Sequence, residues 1–191
     1  MDIILASSSP RRRQLLADAG HDFRIVEPHA DETAPPGMSP TEHAKLIARR
    51  KAHAVADTLD AGIVIGADTV VACGDDIIGK PDDAAHAVQI LSRLSGTRHA
   101  VITAVCLIDA VTGTERCDAD TTFIQMRNVP REAINAYVAT GECFGKAGAY
   151  AIQETADAFI DHIEGSFSNV VGLPMELLAR MFRDFAAAEP D

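Results

Sequence analysis

Apolar and polar positions along this chain repeat with two different periods, and the switches between them mark out its elements. Ile3–Leu5 is a short apolar run that predicts a buried strand. Ser9-Pro10 then opens a helix, with Pro at its first position, reaching Gly20. Phe23–Val26 predicts a second strand, and the segment 28–38, with Pro28, Pro35, Pro36 and Gly37, predicts a loop. Ser39-Pro40-Thr41-Glu42 is a capping box with Pro just inside it, so a helix runs from there to about Asp57. Ala44, Ile47, Ala48 and Val55 keep helical spacing on one face of it. Ile63–Val71 is an almost unbroken apolar run, the pattern of a central strand buried on both faces. Gly74-Asp75-Asp76 turns the chain into Ile77-Ile78, a candidate hairpin.

The second half follows the same alternation. Pro81-Asp82 predicts the start of a helix with Ala84, Ala87, Val88, Leu91 and Leu94 on one face, stopped by Gly96. Strands are expected at Ala100–Ile108 and at about Thr121–Met126, and Pro130 begins a helix that ends at Gly141. A Gly/Ala-rich stretch, 145–149, precedes the apolar pair Phe159-Ile160. After Pro174 comes a helix with Leu177, Leu178, Met181, Phe182 and Phe185 at 3.6-residue spacing. Helices alternating with strands predict a mixed α/β fold.

Length and charge narrow the partners. A chain of 191 residues suits one domain, or two lobes sharing a core. A net charge of −11 disfavours a nucleic acid polymer, because phosphate-backbone binding needs a basic face. No apolar run reaches the roughly 18 residues of a membrane span, and no basic region precedes a signal core, so a cytoplasmic protein without membrane contact is expected. The four cysteines are scattered without a C-x-x-C pair, which argues against a disulfide framework or a cysteine zinc site.

Four places break local rules, and such places are where function concentrates. Arg11, Arg12 and Arg13 sit just inside a helix N-terminus, where cations are unfavourable by a few tenths to ~1 kcal/mol each. With the hydroxyls of Ser7, Ser8 and Ser9 beside them, they read either as an anion site or as three solvated arginines. Asp68 interrupts the apolar run, and an ionised carboxylate in a buried strand is costly unless paired or metal-bound. It is a candidate base, or a strand-end residue facing water. Lys51 lies four residues after Ile47 and four before Val55, on the apolar face of its helix; it either snorkels to water or serves a site. Gly79-Lys80-Pro81 and Gly145-Lys146-Ala147-Gly148 are loops in which glycine permits close approach and lysine offers charge to phosphate.

Two motif look-alikes fail on context. Gly141–Lys146 is one residue short of a P-loop and is followed by Ala147 instead of Ser or Thr. Asp118-Ala119-Asp120-Thr121-Thr122 has the D-x-D-x-T pattern of aspartyl-phosphate phosphatases, but no buried strand is expected before it. Taken together, several cations with one or two carboxylates point to polyphosphate chemistry: cations hold the phosphates, carboxylates hold a divalent metal, and one carboxylate takes a proton from water.

These residues form a pattern. The segments Ala6–Arg13, Gly66–Val71, Gly79–Pro81, Lys146–Gln153 and Gly165–Pro174 resemble, in order and spacing, the Maf family of nucleotide pyrophosphatases. The resemblance implies an elongated mixed α/β sheet flanked by helices, two lobes around a cleft, similar to the inosine triphosphate pyrophosphatases. It implies hydrolysis of a nucleoside triphosphate between the α- and β-phosphates, aided by Mg²⁺ or Mn²⁺. Asp68 matches the family's proton acceptor; Ser7, Arg12, Glu32, Lys51, Lys80 and Lys146 match its polar cleft residues; Glu32 and Asp68 are the expected metal ligands. Arg11, Thr69 and Gln153 match positions tied to base choice, and their identities resemble the branch acting on dTTP and UTP. The same reaction on a modified nucleotide such as 7-methyl-GTP, or a non-catalytic nucleotide-binding regulator of cell division, are the alternatives. The resemblance is compatible with a homodimer. Glu154 stands where the family usually has Gly, and Phe167 where it often has Tyr.

Overall fold

The long apolar run becomes the spine of a seven-stranded sheet in the computed structural model, which describes residues 2–152 and 155–186. It forms β3 (Ile63–Cys73), whose two faces are covered by helices. β1 (Ile3–Ala6) pairs parallel with β3, and β2 (Phe23–Val26) pairs parallel with β1. On the other side β5 (Arg98–Asp109), β6 (Glu115–Met126) and β7 (Ile160–Glu164) follow in antiparallel order. The short β4 (Asp76–Ile78) folds back on the end of β3. The mixed α/β fold expected from the alternation of patterns is thus formed, its sheet in the order β2-β1-β3-β5-β6-β7 with β4 beside β3.

One detail of the pairing makes room for a site. β1 accompanies β3 only as far as Gly66, and β4 joins it only from Val71 onward. Between them Ala67, Asp68, Thr69 and Val70 have no strand partner on that edge among the described residues, while β5 covers the other. Asp68 and Thr69 therefore stand just past the end of β1, on opposite faces of an edge left open.

α2 (Pro40–Ala56) covers one face of the sheet through the buried stripe Ala44, Ala48, Ala52 and Val55. Its capping box forms as the sequence predicts, Ser39 and Glu42 each bonding the other's backbone N–H. Small residues on the helix meet Gly66 on the strand. A Cβ built at Gly66 would overlap Ala48 O and lie 2.6 Å from Ala52 N and 2.8 Å from Ala52 Cβ. This close approach sets the height of the helix above the strand. On the opposite face α1 (Pro10–Asp18) and α6 (Met175–Ala186) pack Leu16, Leu177, Leu178 and Met181 against Leu5, Ile65, Val105 and Leu107. α3 (Ala84–Leu94) and α4 (Arg131–Ala139) close the remaining core around Val71, Val101, Ile124 and Met126.

Three boundaries differ from the sequence reading. α3 starts at Ala84, because Asp83 takes the N-cap and accepts a bond from His86 N at 2.7 Å, so Pro81 and Asp82 remain outside. β6 starts at Glu115 instead of about Thr121. Its polar first half pairs with β5, but β7 joins only from Phe123, so Glu115–Thr122 form an edge where charged residues face water. A one-and-a-half-turn helix, α5 (Phe167–Val171), capped by Ser166, was not anticipated.

Candidate active site

The open edge of β3 looks into a cavity of about 420 Å³. Ser7, Arg11, Arg12, Glu32, Lys51, Asp68, Thr69, Lys80 and Lys146 all line it. Every site residue expected from the sequence is there except Gln153, which with Glu154 lies outside the described residues.

Lys51 is brought in by α2. Its neighbour Ala52 is pressed against Gly66, so the Lys51 side chain, 10% exposed, is carried to the strand two residues further on. Its ammonium donates to Asp68 Oδ1 at 2.8 Å and to Glu32 Oε1 at 3.0 Å. The snorkelling alternative fails: the head of Lys51 binds two carboxylates at the cavity wall. Glu32 arrives on the loop after β2. That loop is held by an Asx turn, in which Asp31 accepts from Thr33 N at 2.9 Å, and by Arg50, which donates to the carbonyls of Asp31 and Thr33. Arg50 and Lys51, adjacent on α2, thus fix the loop and its carboxylate together.

Arg12 reaches back from the first turn of α1. Nε donates to Gly172 O at 2.7 Å, one terminal nitrogen to Ser7 Oγ at 3.3 Å, and the other to Thr69 Oγ1 at 3.0 Å. Guanidinium has five N–H groups, so two remain for a ligand. This is not a solvated arginine, and the rule broken at the helix N-terminus is explained by acceptors gathered from nearby Ser7 and from two distant segments.

The two Gly-Lys loops are tied to each other. Gly148 N donates to Gly79 O at 3.1 Å, bringing Lys80 and Lys146 to one rim. The second loop turns sharply: Gly148 has φ of 73° and Ala149 has φ of 60°, the latter a left-handed conformation unusual for a residue with a Cβ. Ala149 is nonetheless fully buried, so its surroundings impose the shape.

Five cations and three carboxylates (Glu27, Glu32 and Asp68) line the cavity among the described residues. That is a positive excess within a chain of net charge −11, the local basic pocket an anion needs. Burial lowers the pKa of the Arg12 guanidinium, with Asp68 acting in the opposite sense. For Glu32, burial pushes the carboxyl upward, but bonding to Lys51 and the charges of Lys51, Lys80 and Arg12 outweigh it, so its pKa lies below the ordinary value. The donor set also bears on a metal. Among the described residues no group of three or more His, Cys, Asp or Glu could hold an ion by itself. Two carboxylates that already converge on one cation fit an ion of the Mg²⁺ kind, which uses one or two carboxylates and takes its other ligands from phosphates and water.

Sequence reading missed the residues behind the wall. Thr69 Oγ1 bonds Thr103 Oγ1 at 2.9 Å, and Thr103 in turn bonds Asn169, fully buried on α5. Thr103 sits inside the apolar run 100–108, where a Thr signals only strand propensity, and Asn169 lies on the helix that was not foreseen. Tyr150, also on the cavity wall, has its hydroxyl 2.6 Å from Nε2 of buried His99. The D-x-D-x-T segment, by contrast, stays apart: Asp118 pairs with Lys45 at 3.3 Å and Arg180 at 3.7 Å, outside this cavity.

The chain is similar to known proteins along nearly its whole length. Residues 2–185 fit the family described as Maf-like protein. The chain belongs to the Maf family. A Maf relative from Pelotomaculum thermopropionicum, a dTTP/UTP pyrophosphatase, is 47% identical over 184 residues, covering 96% of each chain. The dTTP/UTP pyrophosphatase of Syntrophotalea carbinolica is 45% identical over 98% of this Maf chain and 89% of its own. That of Ruminiclostridium cellulolyticum is 41% identical over 94% of each. A solved structure, that of the Staphylococcus aureus Ham1 protein, aligns with a TM-score of 0.43 at 15% identity, over 67% of this chain and 73% of that one.

Proposed function

We propose that this Maf protein hydrolyses nucleoside triphosphates, dTTP and UTP in particular, to the monophosphate and pyrophosphate. The observation that carries the reading is the Lys51 ammonium held between Asp68 and Glu32 in a pocket otherwise lined with cations. A protein that only bound polyphosphate would gain nothing from carboxylates there, whereas a hydrolase needs a group to accept the proton of water. The names of the relatives supply the reaction and the bases.

In this mechanism Lys51 holds Asp68 Oδ1 and leaves Oδ2 to take a proton from a water attacking the α-phosphorus. The bond from the α-phosphorus to the bridging oxygen breaks, and pyrophosphate leaves. Arg12, Lys80 and the Ser7 hydroxyl grip the β- and γ-phosphates, while Lys51 and Lys146 offset charge that grows in the transition state. Asp68 or Glu32, together with phosphate oxygens, would hold Mg²⁺ or Mn²⁺, which would supply charge neutralisation at those oxygens. Thr69 faces the base, and Arg11 and Gln153 are assigned to the choice of base. The chain would work in the cytoplasm as one catalytic domain, its two lobes meeting at the cleft; no described helix is long and apolar enough to cross a membrane.

Pyrophosphate release is measured from dTTP, UTP, CTP, the purine triphosphates and 7-methyl-GTP, with Mg²⁺ or Mn²⁺, alongside Asp68→Asn. Metal-dependent cleavage of dTTP and UTP is expected, reduced in the variant by about 10²–10⁴-fold, the worth of a general base, with nucleotide binding retained. Undiminished turnover in Asp68→Asn removes Asp68 as the base. Binding without cleavage of any nucleotide makes the protein a nucleotide-responsive regulator.

A further inference from the structure

The hydrogen bonds behind Thr69 have only one consistent direction. Asn169 is fixed first. Its Oδ1 accepts from Thr103 N at 3.2 Å, and its Nδ2 donates to Val101 O at 2.9 Å and to Thr122 Oγ1 at 2.9 Å. Val101 O cannot donate and Thr103 N–H cannot accept, so the amide cannot be flipped. Thr103 comes next. Its hydroxyl donates to the Asn169 carbonyl at 2.8 Å, which uses its single hydrogen. The 2.9 Å contact between Thr103 Oγ1 and Thr69 Oγ1 must therefore be donated by Thr69. Arg12, a donor only, supplies a bond to Thr69 Oγ1 at 3.0 Å. Thr69 has then spent its hydrogen and one lone pair. What it offers the cavity is one remaining lone pair, as an acceptor.

We infer that Thr103 and Asn169 are positioning residues that hold the Thr69 hydroxyl as an acceptor, and that this polarity selects a base carrying a ring N–H. The inference rests on the proposed reading in which Thr69 faces the base. Uracil and thymine both carry N3–H between two carbonyl groups, and their 5-position differs without affecting it. Cytosine presents a bare N3, an acceptor that would meet the Thr69 lone pair with none of the hydrogen between them. Discrimination of this kind comes from a site whose buried polar group is left unpaired by the wrong ligand. Thr103 is fully buried and Asn169 is fully buried, so neither can touch substrate; they act through Thr69.

The test is binding of UTP, CTP and N3-methyl-UTP by titration calorimetry, in Ca²⁺ to hold turnover down, to the whole protein and to Thr103→Val and Thr103→Ser. The unaltered protein is expected to favour UTP over both other nucleotides. In Thr103→Val the Thr69 hydrogen is released, and the UTP-to-CTP preference narrows about fivefold, the worth of one neutral hydrogen bond. Thr103→Ser keeps the hydroxyl and the preference. A merely structural role would weaken both nucleotides equally and leave their ratio unchanged, and that result overturns the inference. Should Thr103→Val fail to fold, the unaltered protein decides: equal affinity for UTP and N3-methyl-UTP overturns it. Because binding is read without turnover, absence of pyrophosphate release would sink the proposed reaction while a shifted ratio still upheld the relay.

Discussion

Replacing Gly66 by Ala sets a methyl group against the backbone of α2. The new carbon would overlap Ala48 O and lie 2.6 Å from Ala52 N, so the atoms in its way belong to helix backbone, which cannot rotate aside. Overpacking of this kind costs about 1–3 kcal/mol. At about 2–4 °C per kcal/mol for a chain of this size, the melting temperature should fall by roughly 2–12 °C. The larger effect is on geometry. If α2 retreats by about 1 Å, Lys51 withdraws from Asp68, now 2.8 Å away, and a displacement of that size can cost about 100-fold in rate. Differential scanning fluorimetry and pyrophosphate release read the two effects side by side. Adding Ala52→Gly removes one of the clashing carbons but leaves the backbone contacts, so the double variant should recover little. A Gly66→Ala protein with unchanged melting temperature and rate would refute the claim that this close approach positions Lys51.

Other outcomes follow from the same geometry. Lys51→Met leaves Asp68 and Glu32 facing each other without their shared partner, and urea unfolding should show a loss of about 1–3 kcal/mol, with turnover falling further than stability explains. His99 is buried and its pKa is lowered by that burial to about 4, against an ordinary 6.5. Between those values the unfolded chain binds a proton that the folded chain excludes, so stability declines as pH falls through this window, by about 3 kcal/mol in all. His99→Gln should flatten that part of the stability profile; an unchanged slope would show that other groups cause it. Chelation should abolish turnover, with recovery on adding Mg²⁺ or Mn²⁺, yet barely move the melting temperature, because Lys51 already pairs the two carboxylates.

Apart from the family resemblance, residues that violated a local expectation were legible in the sequence, and those that obeyed one were not. Asp68 in an apolar run and Lys51 on an apolar helix face each carried a visible electrostatic cost, and both belong to the cavity. Arg12 stood out at the wrong end of a helix, though nothing in the sequence revealed that Gly172 O, Ser7 and Thr69 would receive it. Thr103 and Thr122 look like ordinary strand residues, since β-branched side chains suit a strand whether or not their hydroxyls are used. Asn169 belonged to a recognisable segment, but its buried amide matters only through partners on β5 and β6. The strand expected from about Thr121 omitted the first half of β6, because its polar pattern belongs to a sheet edge, and edges are defined by which strand is missing alongside.

The bond from Arg12 to Gly172 spans 160 residues of chain, and the one joining Gly148 to Gly79 links loops from either side of β5 and β6. The cavity has no local precursor: its walls meet only when the N-terminal segment, the middle strands and the last third of the chain are all in place. Long-range closures of this kind are entropically expensive and come late in folding. Helices and the β5–β6 hairpin can form during refolding without yielding any site, so circular dichroism should recover ahead of nucleotide binding. A chain released before its last helices would be rich in secondary structure and unable to act on a nucleotide, which keeps half-made copies chemically silent.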